Sequence, residues 1–302
     1  MKKYFSAIAL IASLIFLGCN NKPGSSSDTI NLKFNLPKGA GYDYNMEMTM
    51  AIKGNISGQP MNVDNKMAMG YHFGVIDDSA GWKKISSTIS RIAMNVNTAG
   101  MNINYDSDKP ADSSDAANGA MGKVLGAMKG GEFTFTMNEQ GKIGSVTGIN
   151  EMMQRMMQSI NVPDANAMAQ SMGTSFNEEN FKQNIQQAFG IYPGKPVKPG
   201  DTWTSAMNMN NSGMEMKMDN TYTLESVSGD NANVKVDSKI SSPSNATASI
   251  NGTMKGTMKY DISSGVPVDG DLDMNMNMNV NSGGQQMPMT MDIKMKITGK
   301  KS

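Results

Sequence analysis

The chain has 302 residues, with 27 basic against 27 acidic side chains, one cysteine, one histidine and 32 methionines. Zero formal charge, with Arg91 and Arg155 as the only arginines, argues against a nucleic-acid protein, which needs a basic face to grip phosphates. A single cysteine and a single histidine, His72, allow neither an internal disulfide nor a Cys/His zinc set.

The amino terminus has a charged start at Lys2 and Lys3 and then an uncharged, largely apolar stretch from Tyr4 to Leu17. That stretch is shorter than the roughly 20 residues a spanning helix needs. It has the form of a removable export signal over residues 1–18. The Leu17-Gly18-Cys19 ending resembles the lipobox of bacterial lipoproteins, with Phe16 where leucine is more usual. The resemblance implies cleavage before Cys19 and fatty acyl chains, palmitate among them, on that residue. Two or more such chains hold a protein stably at a membrane. Asn20 to Asp28 is polar and rich in serine, with Pro23 and Gly24, so residues 19–29 form a flexible tether. In Bacteroidetes-type lipoproteins an acidic run after the cysteine accompanies export to the cell surface. This chain has none there, which implies an outer-membrane anchor facing the periplasm.

From Ile30 onward an alternation of period two dominates, the pattern of strands with one buried face. Tyr44, Met46, Met48, Met50 and Ile52 share one parity, as do Met67, Met69, Tyr71, Phe73 and Val75. Along Ile85, Ile89, Ile92, Met94 and Val96 the parity changes, which predicts a bulge near Ser90 or Arg91. Phe133, Phe135 and Met137 lead into a turn at Asn138 to Gly141. In the second half Met214, Met216, Met218, Tyr222 and Leu224 alternate, as do Val234, Val236 and Ile240. The pattern continues through Met254, Met258 and Tyr260, then Leu272 to Val280, and finally Met287 to Ile297. Alternation with polar partners favours antiparallel strands with one wet face.

Two stretches follow a helical period instead. Ala116, Ala120, Val124 and Met128 recur every four residues. Met152, Met153, Met156, Met157 and Ile160 form a stripe, Ala165 to Met172 fits a short helical turn, and Phe181, Ile185 and Phe189 form a second stripe ending at Gly190. A gapless self-match at an offset of 151 aligns Tyr71 with Tyr222, Lys84 with Lys235 and Ile89 with Ile240. It reads either as a duplicated β unit or as a product of biased composition.

The stretch from Pro193 to Trp203 carries a P-x-K-P-V-K-x-G-D-x-W pattern. It resembles a family of uncharacterised Bacteroidetes-type lipoproteins, in which it precedes a Tyr-x-Leu strand, here Tyr222 to Leu224. The Gly39 to Tyr44 opening and the Asp261 to Gly265 turn fit the same family. The resemblance implies a location and a domain shape, with no established activity. The prolines and Gly200 also suit a fixed turn, and Trp203 suits a plug at the sheet edge.

The methionine runs have two readings. Met274, Met276 and Met278 resemble the M-x-M motifs of copper and silver handlers, and thioethers suit Cu(I). Yet methionines occupy the positions that Tyr, Phe, Val and Ile hold in the same strands, so they also suit an adaptable core or cavity lining. On that reading Met46, Met48, Met216 and Met276 line a ligand site. His72 has the opposite parity to Tyr71 and Phe73 and is expected to point outward. Asp269, Asp271 and Asp273 begin like a calcium loop, but Met274 and Val280 stand where that loop needs Gly and Glu. No nucleophile elbow or phosphate loop is present, so no catalytic residue and no cofactor is assigned.

These readings predict an α+β, mostly β fold: a large curved antiparallel sheet, half-barrel-like, from two related halves, with helices on its apolar face. The divisions are 1–18 signal, 19–29 tether, 30–148 first β half, 149–192 helical connection and 193–302 second β half. The expected role is non-catalytic, with a membrane reached through Cys19 and an apolar ligand or an envelope protein as partner. A Cu(I) or Ag(I) binder and a purely structural protein are the alternatives.

Overall fold

Long strands follow directly from the alternation, because each apolar parity can be buried only if successive side chains take opposite faces. A computed structural model describes residues 29–56, 59–98, 101–109, 116–159, 178–211, 214–243, 248–282 and 285–302. The expected export signal, Cys19, Asn20 to Asp28 and the Ala165 to Met172 segment lie outside them.

In the first half the strands are β1 (Gly41–Ile56), β2 (Gln59–Ser79), β3 (Trp82–Thr98), β4 (Met101–Asp106), β5 (Glu132–Asn138) and β6 (Ile143–Thr147). The second half supplies β7 (Thr202–Asn211), β8 (Met214–Ser228), β9 (Asn231–Ser241), β10 (Ala248–Asp261), β11 (Pro267–Ser282) and β12 (Gln285–Lys301). All pairings are antiparallel, in the order β6-β5-β3-β2-β1-β12-β11-β10-β9-β8-β7, with β4 also on β3. The first and last strands therefore pair at the middle of the sheet, over a register from Tyr42–Lys301 to Gly54–Met289. Both halves step across the sheet in the same direction, and the sheet stays open between β6 and β7.

Helices α1 (Ala116–Met128), α2 (Ile149–Ser159) and α3 (Glu178–Phe189) dock mainly over one flank. Helix α1 meets β3, β4 and α2; α2 meets β5; α3 meets β6. The predicted stripes are the buried ones. Met152, Met153 and Phe189 are buried, and Phe181 packs edge-on to Phe133 at 5.5 Å. Phe189 stands among Phe34, Phe73 and Phe135 at centroid distances of 6.1–6.3 Å. The aromatic core lies beneath these helices, and a second apolar cluster around Met218, Ile240, Ile250, Met276 and Met278 occupies the methionine-rich part of β8–β11.

The bulge falls where the parity change places it: Gly70 faces Arg91 while Tyr71 faces Ile89, leaving Ser90 as the extra residue of β3. Residues 30–36 alternate as strongly as any strand, with Ile30, Leu32, Phe34 and Leu36 buried, but they do not join the sheet. They form a strap across the strand ends. Ile30 bridges Val197, the Phe34 amide donates to the Glu139 carbonyl at 2.9 Å, and the Asn35 amide to the Ser264 carbonyl at 2.8 Å. A burial pattern alone does not distinguish a strand from an extended cover.

The offset of 151 is not the one that superposes the hairpins. In β2–β3 the bulged residue is Ile76, between the pairs Val75–Ile85 and Asp77–Lys84. In β8–β9 it is Glu225, between Leu224–Val234 and Ser226–Asn233. Those two residues are 149 apart, so Phe73 and Val75 match Tyr222 and Leu224. With period-two burial, a slip of two residues keeps every parity, which is why the sequence match looked equally good.

Candidate functional site

The second half opens with a turn that fixes how β7 enters the sheet. Gly200 has φ +94°, the Asp201 amide donates to the Lys198 carbonyl at 2.9 Å, and the Lys198 amide to Asp201 Oδ2 at 3.0 Å. The turn leaves Val197 buried against Ile30 and delivers Trp203, on the edge strand β7, inward. Its indole stacks on Tyr222 at 5.6 Å and its Nε1 donates to the Ile191 carbonyl at 2.6 Å. That bond draws the segment after α3 over the sheet.

Beneath it lies a hollow of about 220 Å³. Strands β1 and β7 both contribute to it, through Met46 and Met207. Six strand steps separate them, about 29 Å on a flat sheet at roughly 4.8 Å per step. Their convergence on so small a space requires the sheet to curl strongly. Ala188 and Ile191 form the roof.

The wall is polarised. Seven methionines are the largest group in it, among them Met46, Met218, Met254 and Met274, with Leu272 and Ile297 between them. Tyr44, Tyr222 and Tyr260 contribute phenols, and Asn220 the one amide. No charged side chain is among the described lining residues. Asn220 Nδ2 donates to Ser205 Oγ at 3.2 Å, and its Oδ1 is buried without a partner among the described residues.

Burial sets the protonation of the tyrosines in and around the hollow. Burial, reinforced by neighbouring phenols, pushes Tyr44 and Tyr260 far above the usual 10.0. Burial also raises Tyr71, to about 12. Tyr192 rises for the same reason, and its hydroxyl donates to the Gly265 carbonyl at 2.8 Å. The Tyr42 hydroxyl donates to the Pro267 carbonyl.

Of the residues singled out in the sequence, Met46 and Met274 line the hollow. Met216, Met276 and Met278 belong to the second apolar cluster farther along the same face. Met48 lies inward on β1, across from Met67 and Met295. His72 points outward as its parity indicates, 2.7 Å from Asp43. Asp271 and Asp273 are on the solvated face, opposite Lys296 and Lys294 of β12. Sequence reasoning did not single out Asn220, Tyr260 or Ile191. Their alternation marked two of them as inward, but nothing in the sequence brought β1, β8 and β10 to one space.

Residues 80–267 match the model of a family of unknown function, DUF6263. The chain belongs to this family. No curated protein sequence matches it. Among solved structures, a lipovitellin described by its lipid–protein interactions is 10% identical, with a TM-score of 0.48, over 88% of this chain and 25% of that one. This chain thus spans about a quarter of that protein's length. An outer membrane channel from Pseudomonas putida F1 is 6% identical, with a TM-score of 0.25, over 88% and 97% of the two chains. The translocator domain of the autotransporter NalP from Neisseria meningitidis is 7% identical, with a TM-score of 0.23, over 88% and 90%. Among the described residues no helix is long and apolar enough to cross a membrane.

Proposed function

We propose that this DUF6263 member is a lipid-anchored protein of the cell envelope that holds an apolar ligand without chemically changing it. The observation that carries the reading is the hollow of about 220 Å³ with no charged side chain among its described lining. An apolar cavity of roughly 150 Å³ already stays dry and takes up a benzene-sized guest. Drug-sized pockets start near 300 Å³, so the hollow admits a single chain or ring rather than a whole phospholipid. Methionine suits such a wall because its unbranched thioether repacks around guests of different shape. The anchor rests on the lipobox-like Leu17-Gly18-Cys19 ending, with the periplasmic face of the outer membrane as its site.

Native mass spectrometry of protein extracted from its own membrane tests this. The expected spectrum shows acylated Cys19 and a lipid-sized adduct on the folded chain. Leu272→Trp, which narrows the hollow, is expected to lose the adduct. A wild-type mass with no adduct contradicts ligand binding, and an unmodified Cys19 contradicts the anchor.

One observation favours a second reading, Cu(I) or Ag(I) capture. Met276 and Met278 lie directly across from Met291 and Met289, and Met254 from Met274. Such pairs bring side-chain roots to about 5 Å, close enough for thioethers to share a soft ion. A Cu(I) titration against a chelator decides it: stoichiometric uptake lost in Met276→Leu/Met278→Leu supports capture, and no uptake removes it.

A further inference from the structure

The polarity of the hollow says more about its guest than size does. Tyr260 is 3% exposed and lines the space, as does Tyr44. Neither hydroxyl has a hydrogen-bond partner among the described residues, whereas the hydroxyls of Tyr42 and Tyr192 donate to backbone carbonyls. Neither oxygen is among the fully buried unpaired polar atoms of the described residues, so both hydroxyls open onto the hollow, where a phenol is a strong donor available to a guest. Two such donors therefore sit at one end of a wall that, apart from Tyr222 and Asn220, is otherwise thioether and hydrocarbon. Tyr44 and Tyr260 stand on the strand segments nearest the strap, since each is within four residues of the strap-side end of its strand. Met218 and Met274 lie on the other side, toward the methionine-rich cluster. The site thus has a hydrogen-bonding floor and an apolar run leading away from it.

We propose that the hollow takes a neutral amphiphile head first, its ester or ketone oxygen accepting from the hydroxyls of Tyr44 and Tyr260 and its hydrocarbon tail lying along the methionines. This rests on the apolar-ligand reading above and adds a selection rule to it. An ester oxygen satisfies the two donors at little desolvation cost. A carboxylate or phosphate enters a wall with no described cation to neutralise it, and an uncompensated charge in such a setting is strongly disfavoured. An alkane fills the run but leaves the phenols unpaired. The expected order is ester, then alkane, then carboxylate.

Displacement of diphenylhexatriene from the delipidated full chain by methyl decanoate, decane and decanoate at neutral pH tests the rule. Methyl decanoate is expected to compete at least tenfold better than decanoate and severalfold better than decane. Tyr260→Phe, which keeps the ring and the fold, is expected to remove most of the ester's advantage over decane and leave decane unchanged. Equal competition by decanoate and its ester, or an unaltered ester advantage in both Tyr260→Phe and Tyr44→Phe, overturns the head-group inference while leaving apolar binding in place. Failure of all three ligands to displace the probe overturns apolar binding itself.

Discussion

Ile30 and Val197 exchange two backbone hydrogen bonds, of 2.8 and 2.9 Å, across 167 positions of sequence. Both side chains are buried, so the strap and the Pro193–Trp203 segment are one packing unit. Because the strap also bonds to Glu139 and Ser264, it ties turns from both halves of the sheet together.

Truncating this contact should be costly and non-additive. Ile30→Ala is expected to lower stability by about 2–4 kcal/mol and Val197→Ala by about 1–3 kcal/mol, from lost burial and the void left behind. The double variant should lose less than the total of the two, since each removes the other's partner. Urea denaturation of all four proteins checks this. Strict additivity means that the strap is not coupled to the Val197 segment.

The β2–β3 hairpin turns through Ala80 and Gly81, both at positive φ, +52° and +78°. Two-residue hairpin turns of this hand match the twist of the strands, but Gly, Asn and Asp occupy the first position at lower cost than Ala. Ala80→Asn is expected to raise stability by about 0.5–1 kcal/mol, read as an upward shift in melting temperature. No shift, or a downward one, contradicts the turn geometry.

Asp261 anchors the turn that receives the strap. Burial on its own raises this carboxyl, but hydrogen bonds from Lys301, Ser263 and Ser264 outweigh it and hold Asp261 well below the ordinary 3.8. A depressed folded value means that the stabilisation is present above the unfolded pKa and is lost as pH falls below it toward the folded value. Asp261→Asn should therefore destabilise the protein by about 1–2 kcal/mol at neutral pH. The gap should close as both proteins are titrated below pH 3.8. A gap constant with pH shows that the ionised carboxylate is not what holds the turn.

Much of this architecture was legible in residue parity. The Ser90 bulge, the Phe181–Phe189 stripe and the outward His72 each follow from which neighbours are apolar, because burial on one face enforces a period. What parity does not encode is partner choice. The strap residues Leu32 and Phe34 have the signature of a strand yet pair with no strand, and a two-residue slip in the internal repeat leaves the pattern unchanged. The hollow was hidden for the same reason. Met46, Asn220 and Tyr260 are distant in sequence, and only the curl of the sheet brings them to one space. The methionines at these inward positions suggested a lining, but the phenolic end is a product of register.

The buried tyrosines set an upper pH limit for the fold. Tyr42, Tyr44, Tyr192 and Tyr260 are all raised above 10.0, chiefly by burial. Below that value they are neutral in both states and stability does not respond to them. Above it the unfolded chain releases protons that the folded one retains, so stability falls as pH rises toward the folded values. Each such tyrosine steepens the fall by at most about 1.4 kcal/mol per pH unit. Urea midpoints measured from about pH 8 to about pH 11 should be flat and then drop sharply. The phenolate absorbance of these residues should appear together with loss of the β-sheet signal, not before it. If they titrate as free phenols near 10.0 while the sheet persists, these rings are not buried, and the apolar site on which the ligand reading depends does not exist.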